Sequence, residues 1–290
     1  MKKNNILVTG GLGILGSSLV KILLNDKNKS LNIFILDRSK NKKKIKSLDI
    51  KNKRLKIIKG NFNNYNEIYN LIRKKNINII FHLGAITQVT DSYQKPLLTF
   101  KSNILGTINI LEAIRNLKRE IILIYSSSDK AYGALNNKEY FEHHQLKGEQ
   151  PYDVSKSAAD LIAQSYSKTY NLKIGIIRSG NIYGPSDYNK DRLVPHVIIS
   201  ALRNKQAVLR SNGKLIRDYI FVNDVARAYV LLMQKMLKSK QKLRIYNVGS
   251  KENLNVIDLV TLITNIIKKK NLKPVIENTS ANIEIKRQKL

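Results

Sequence analysis

The sequence predicts an α/β protein: a doubly wound parallel sheet with helices on both faces and a small C-terminal substrate-binding region. Three observations carry this. Short apolar runs alternate with amphipathic stretches through the first two-thirds of the chain, the pattern of repeated βαβ units. The runs are nearly continuous in apolar residues, as strands covered on both faces must be. The first of them opens directly into a glycine-rich turn and then helical sequence.

Taken in order, strands are expected at Ile6–Thr9, Leu31–Leu36, Leu55–Ile58, Ile77–His82, Ile121–Ser126 and Lys173–Arg178. Helices fall between them at about Leu15–Leu24, Tyr65–Lys74, Leu97–Asn116 and Asp153–Tyr170. After Ser179 the pattern is irregular. Asn181 to Asp191 reads as a loop, Val194–Arg203 and Val225–Met236 as helices, Leu243–Val248 as a strand and Val256–Lys268 as a last helix. At 290 residues the chain exceeds what one core comfortably serves. Residues 1–180 are therefore assigned to the sheet domain, with about 222–248 returning to it, and 181–290 mainly to a substrate-binding region. No internal repeat or low-complexity linker is evident.

Composition narrows the function classes. Hydrophobic residues make up 42% of the chain, enough for a sizeable core, and the absence of cysteine excludes disulfides and thiolate metal sites. His82, His143, His144 and His196 show no metal-ligand spacing, so no metal is expected. No leader-like segment and no run of 18 or more apolar residues is visible, which predicts a soluble, cytoplasmic protein with no membrane partner. The net charge of +31 is mostly lysine, dispersed among asparagine and isoleucine, with runs such as Lys42–Lys44 and Lys268–Lys270 at loops or helix ends. No arginine cluster interleaves with aromatics, so a solvated basic surface is expected, with no specific nucleic-acid site.

The glycine turn reads Gly10-Gly11-Leu12-Gly13-Ile14-Leu15-Gly16. Gly10 permits the tight turn, Gly13 lets backbone N–H groups approach a pyrophosphate, and Gly16 lets helix pack on strand. The helix N-terminus then faces the phosphates with its partial positive charge. Asp37 ends the second strand 21 residues after Gly16, where a carboxylate accepts from ribose hydroxyls and repels a 2′-phosphate. This points to a Rossmann-type domain that binds NAD. Arg38 dissents, since a guanidinium can hold that phosphate, and a bare glycine turn beside a surface aspartate is the bland alternative.

Tyr152 and Lys156 lie four residues apart, on one face of the expected helix. A nearby cation favours the phenolate and makes Tyr152 a base. At the carboxyl end of a strand stands Ser126-Ser127-Ser128-Asp129-Lys130-Ala131-Tyr132-Gly133, placed to face the ligand crevice. The Tyr-x-x-x-Lys spacing alone also fits an ordinary helix surface.

In combination with Phe81-His82-Leu83-Gly84-Ala85, Asn103-Ile104-Leu105-Gly106-Thr107, Arg178-Ser179-Gly180-Asn181-Ile182-Tyr183-Gly184-Pro185 and Arg217 to Val225, these motifs resemble the extended short-chain dehydrogenase/reductases, specifically the NAD-dependent sugar-nucleotide epimerase/dehydratase family. The resemblance covers nearly the whole chain. It implies cofactor contacts at Gly10, Leu12, Gly13, Ile14, Gly16, Asp37, Arg38, Asn61, Phe62, Leu83, Ala85, Asn103, Tyr152 and Lys156. It implies that Tyr152 takes the proton from the sugar 4-hydroxyl as the C4 hydride passes to NAD. Lys156 would lower the Tyr152 pKa and hold the nicotinamide ribose, and Ser128 would hydrogen-bond the 4-oxygen. Asn181, Arg192 and Arg217 would hold the nucleotide diphosphate, and the basic field would draw that anion in.

Within the family, Asp129-Lys130 resembles the CDP-glucose 4,6-dehydratases, with Asp129 as acid toward the departing 6-hydroxyl and Lys130 as base toward the C5 proton. Asp191-Arg192-Leu193-Val194-Pro195 resembles the same group, whereas Arg217-Asp218-Tyr219 is the general family form. A 4-epimerase, in which Asp129 and Lys130 form a structural ion pair, and a non-catalytic NAD-binding protein both remain open. Asn61 stands where the family commonly has aspartate. The sequence ends at Glu284 to Leu290, where the family continues into a segment with a Gly-Trp pair, and this chain has no tryptophan. The expectation is some loss of stability or substrate closure. The resemblance also implies a homodimer packed through the helices around Asn103–Asn116 and Asp153–Tyr170.

Overall fold

A computed structural model describes residues 4–25, 31–38, 45–46, 48, 50, 52–135, 139–250, 252–279 and 285–290; Lys42–Lys44 and Glu284 lie outside the described residues. Strands β1 (Asn4–Thr9), β2 (Leu31–Asp37), β3 (Leu55–Lys59), β4 (Ile79–His82), β5 (Ile122–Ser126) and β6 (Lys173–Ser179) join one sheet. β7 (Asn181–Tyr183), β8 (Val208–Leu209) and β9 (Ile216–Phe221) lie outside it, and β10 (Leu243–Val248) completes it as the seventh strand. Its order is β10-β6-β5-β4-β1-β2-β3, and every pairing is parallel.

Between β1 and β4 the winding reverses. Ile6 faces Ile33 on one side and Ile79 on the other, so β1 is flanked by strands whose crossover helices cover opposite faces. A crevice opens beyond the carboxyl ends of strands at such a point. The period of two splits β1 between two cores. Ile6 and Val8 pack with α1 (Ile14–Asn25) and α8 (Val222–Lys238), among Leu19, Leu23, Tyr229 and Met233. Leu7 packs on the other face with α2 (Tyr65–Lys74), α5 (Gly106–Asn116) and α6 (Pro151–Tyr170), among Ile68, Ile72, Ile110 and Ala159. Pro151 sits in the first turn of α6, where its missing N–H costs nothing, and Asn171 ends that helix in the left-handed conformation.

Two stretches differ from their sequence reading. The helix expected over Leu97–Asn116 is instead α4 (Pro96–Phe100), a π turn (Lys101–Leu105) and α5, preceded by α3 (Val89–Gln94). The π turn widens the spiral and carries Asn103 into the interior at 2% exposure. The loop expected from Asn181 begins as β7, which pairs parallel to β9, while β11 (Asn253–Asn255) pairs antiparallel on the other side of β9. β9 escaped notice because its run contains Arg217 and Asp218, yet both are buried. A third core, including Val197, Leu209, Leu259 and Ile263, joins α7 (Leu193–Leu202) to α9 (Val256–Ile266) beside the short β8–β12 (Val275–Ile276) pair. Among the described residues, no helix is long and apolar enough to cross a membrane, and no cluster of His, Asp or Glu could hold a metal ion.

The sheet and α6 are joined by a buried ion pair. Arg178 of β6 donates through Nε and Nη2 to both oxygens of Asp160, at 2.9 and 3.0 Å, with the side chains 2% and 0% exposed. Asp160→Ala strands the guanidinium in the core. Urea denaturation is expected to show a loss of roughly 3–5 kcal/mol in unfolding free energy.

Candidate active site

The glycine turn closes on itself through a 3.0 Å bond from Gly13 N to Gly10 O, and α1 starts at Ile14. Gly10 takes φ +70°, and a Cβ there would lie 2.8 Å from Gly84 N on the neighbouring strand's loop. At Gly16 a Cβ would stand 2.2 Å from Gly10 O, so no larger residue fits. Gly13 differs: its Cβ position meets only Gly10 O, at 3.3 Å, and otherwise faces open space. The helix N-terminus is therefore bare of side chain on the side where a pyrophosphate would approach, which fits a dinucleotide. Leu12 is buried, whereas Ile14 and Asp37 are half-buried and Arg38 is exposed.

Three other positions expected at the cofactor make contacts within the protein. Asn61 gives its carboxamide oxygen to Asn63 N at 3.1 Å. Phe62 wedges beneath Gly84 and Gly106, at 2.7 and 2.5 Å from their Cβ positions. Asn103 accepts from Ile86 N (2.8 Å) and donates to Ile86 O and Ser155 Oγ (2.9 Å each), so both its amide hydrogens are committed. It braces the Leu83–Ala85 wall against α6, and Ser155 passes the link to Tyr152 O at 2.7 Å.

A second brace was missed in the sequence, where His82 figured as a non-ligand and as part of the Phe81–Ala85 motif, with no role of its own. Gly84 N donates to Thr9 Oγ1, which bonds His82 Nδ1 at 2.7 Å, while Nε2 bonds Thr107 Oγ1 at 3.1 Å. Thr107 already donates to Asn103 O, so the imidazole carries its hydrogen on Nε2. Burial, and then Lys156, lower the His82 pKa to about 3, so the ring stays neutral. The available signal was a histidine in an otherwise apolar strand.

The chemistry-bearing groups gather at the ends of β5 and α6. Ser128 caps a 3-10 turn, Asp129–Tyr132, accepting from Lys130 N at 3.2 Å and donating to Asp129 Oδ1 at 2.9 Å. Oδ1 also accepts from Lys130 N at 2.8 Å, while buried Oδ2 has no hydrogen-bond partner among the described residues. Burial raises the Asp129 pKa against the pull of Lys130 and Ser128, which favours a protonated acid. Tyr152 is buried, and burial pushes its phenol well above the ordinary range, with a hydrogen bond between it and Ser128 opposing. Lys156 turns its ammonium onto Ser126 O at 2.8 Å, and burial brings its pKa down to about 8. In the protein alone, burial and not Lys156 sets the direction of the Tyr152 shift. Asp153 was also missed, although it adjoins Tyr152. It is buried, and burial raises its pKa to about 6 against the attraction of Lys130.

A cleft of about 520 Å³ opens alongside, lined by Asn181, Arg192 and Arg217 together with His196, Arg210 and Tyr219. Arg192 is tethered to Asp187 at 2.9 Å, and Arg217 donates to Ile285 O at 2.6 Å; the amide nitrogen of Asn181 is buried without a partner among the described residues. The lining does not include Ser128, Asp129 or Tyr152. The charges span that gap: Arg192 is felt at Tyr152 and Arg217 at Asp129. His196 and Arg210 carried no recognisable motif in sequence.

Fold and site together define a dinucleotide-type sheet with a Ser/Tyr/Lys centre beside an arginine-lined cleft. Residues 7–290 match the family model described as GDP-mannose 4,6 dehydratase, and the chain belongs to that family. A dTDP-D-glucose 4,6-dehydratase of Dictyostelium discoideum is 32% identical over 90% of this chain, which spans 62% of that relative's length. Among solved structures, a dTDP-glucose 4,6-dehydratase from Bacillus anthracis in complex with NAD is 27% identical with a TM-score of 0.84, covering 99% of this chain and 87% of its own. A UDP-glucuronic acid 4-epimerase from Bacillus cereus, in complex with UDP-glucuronic acid and NAD, is 25% identical with a TM-score of 0.86, covering 98% and 89%.

Lys156 yields a pH prediction. In the unfolded chain it holds its proton up to its ordinary 10.5, in the folded protein only to about 8. Below about 8 both states are protonated and folding carries the full burial penalty; between the two values the unfolded state binds more protons, so stability rises with pH. Lys156→Met is expected to stabilise the cofactor-free protein by about 1–2 kcal/mol at pH 7, net of the lost Ser126 bond. In chemical denaturation that gain should shrink as the pH passes 8 toward 10.5.

Proposed function

We propose that this protein is an NAD-dependent sugar-nucleotide 4,6-dehydratase, with a CDP-glucose-like substrate favoured. The observation that carries the reading is Asp129: a buried carboxyl with a raised pKa and an unpartnered Oδ2, adjoining Ser128. NAD, when bound, supplies a hydride acceptor for carbon C4. Tyr152 takes the 4-hydroxyl proton, Ser128 holds the resulting 4-oxygen, and Asn181, Arg192 and Arg217 hold the diphosphate. The ketone at C4 then acidifies C5. Lys130 removes the C5 proton while Asp129 delivers a proton to the departing 6-hydroxyl, so that one water leaves across C5 and C6. A net loss of one water requires the hydride to return at C6 and Lys130 to return its proton at C5; otherwise the product would be two hydrogens lighter.

The competing 4-epimerase reading has the likeness to the Bacillus cereus enzyme in its favour. It would make Asp129-Lys130 a structural ion pair. Asp129 accepts from the backbone N–H of Lys130 at 2.8 Å, and the Lys130 charge also attracts its carboxylate. We also infer a homodimer through α5 and α6, supported by exposed Leu105 just before the first and Leu161 on the second.

The test is to incubate protein and NAD with CDP-glucose, dTDP-glucose, UDP-glucose and GDP-mannose and to follow product mass. Loss of 18 mass units, one water, from any of them, about one molecule per turnover, supports the reading. Asp129→Asn is expected to slow that loss by roughly 10²–10⁴-fold. Unchanged mass with inversion at C4 would make the protein an epimerase, and bound NAD without turnover would make it a non-catalytic family member.

A further inference from the structure

The Asp129–Tyr132 turn belongs to no strand or long helix, yet the proposed dehydration needs its two side chains fixed against C5 and C6 of the sugar. We propose that Tyr132 is a positioning residue for the water-losing step, tying this turn to α6 through Arg178 and Asp160. This inference rests on the 4,6-dehydratase reading above.

Tyr132 is the last residue of the turn and is 0% exposed. Its hydroxyl accepts from Arg178 Nη1 at 2.7 Å and donates to Asn247 Oδ1 at 2.7 Å, so its hydrogen and one lone pair are both used. The guanidinium carbon also stands 4.8 Å from the centre of the Tyr132 ring. Arg178 is fixed in turn by both oxygens of Asp160, and Asn247 is held by Tyr140 O and Glu142 Oε1, at 2.8 Å each. Asp160 lies on α6 one turn after Lys156 and two turns after Tyr152. The same helix therefore sets both halves of the centre. It carries Tyr152 and Lys156 directly, and it holds Asp129 and Lys130 at one remove.

The hydride-transferring half has separate supports. Ser127 N is bonded to Ile177 O at 2.8 Å, and Lys156 Nζ to Ser126 O at 2.8 Å, both upstream of the turn. A second tether, Ser157 Oγ to Ala131 O at 2.7 Å, keeps the turn's backbone attached when the phenol is lost. Removing the Tyr132 hydroxyl should loosen the aim of Asp129 and Lys130 without unseating Ser128, Tyr152 or Lys156. A misplacement of about 1 Å costs on the order of 10²-fold in rate.

The experiment compares wild type and Tyr132→Phe, each loaded with NAD, on whichever of the four sugar nucleotides the wild type dehydrates. Single-turnover absorbance at 340 nm reads C4 oxidation, and product mass reads water loss. The expected result is oxidation within about twofold of wild type, water loss slowed roughly 10–100-fold, an unchanged KM, and a 340 nm signal that decays late. Asn247→Ser, which removes the other partner of the same hydroxyl, should shift the ratio of the two rates in the same direction and serves if Tyr132→Phe does not fold. Equal slowing of both steps, or no slowing of either, in a wild-type background that loses water would overturn this inference alone. Inversion at C4 without water loss by the wild type would overturn the dehydratase reading and this inference with it.

Discussion

Arg178 and Asp160 meet where the sheet's β6 passes beneath α6, and much of the site is hung on that contact. Taking a guanidinium and a carboxylate out of water costs several kcal/mol for each ion. Here two charge-assisted bonds to Asp160, a third to the Tyr132 hydroxyl and a fourth to Glu142 O offset that cost. Such a pair adds little to stability over a well-packed apolar pair, but it admits one geometry. It fixes α6 against the carboxyl edge of the sheet, and with α6 the phenol of Tyr152 and the ammonium of Lys156.

Burial sets the electrostatic character of the centre. It favours neutral forms, raising Tyr152 and Asp129 and lowering Lys156 to about 8. Under the dehydratase reading these shifts suit Asp129, which would have to hold a proton to give it away, and they hinder Tyr152, which would have to lose one. The phenol becomes a base only as positive charge is drawn up to it. Arg192 at the cleft already pulls that way. Coupling between substrate seating and the base follows, because the arginine expected on the diphosphate also acts on the phenol.

A shared fold leaves the reaction undecided, since one scaffold hosts several chemistries. Dehydratases and epimerases both superpose on nearly all of this chain. In the proposed reading, what separates them is a four-residue turn, Asp129–Tyr132. There Asp129 accepts from the Lys130 N–H through one carboxylate oxygen, and the other has no hydrogen-bond partner among the described residues. On that reading the side chains at 129 and 130, and the frame that aims them, decide between dehydration and epimerisation.

The sequence by itself determined the parallel sheet, the glycine turn and the Ser128/Tyr152/Lys156 centre. Each is a local pattern: a period of two or 3.6, a fixed glycine spacing, two side chains four residues apart on one helix face. It fell short where distant segments decide. The π turn that sinks Asn103, the commitment of its amide to Ile86 and Ser155, and the β7–β9–β11 sheet all join residues far apart in the chain. Charged residues in β9 masked a strand whose Asp218 is wholly buried. Only the tertiary structure decided that Lys156 bonds to Ser126, that Tyr152 is held protonated, and that Tyr132 reaches α6 through Arg178. Spacing records which groups share an element, whereas burial and hydrogen bonding depend on what the rest of the chain packs against them.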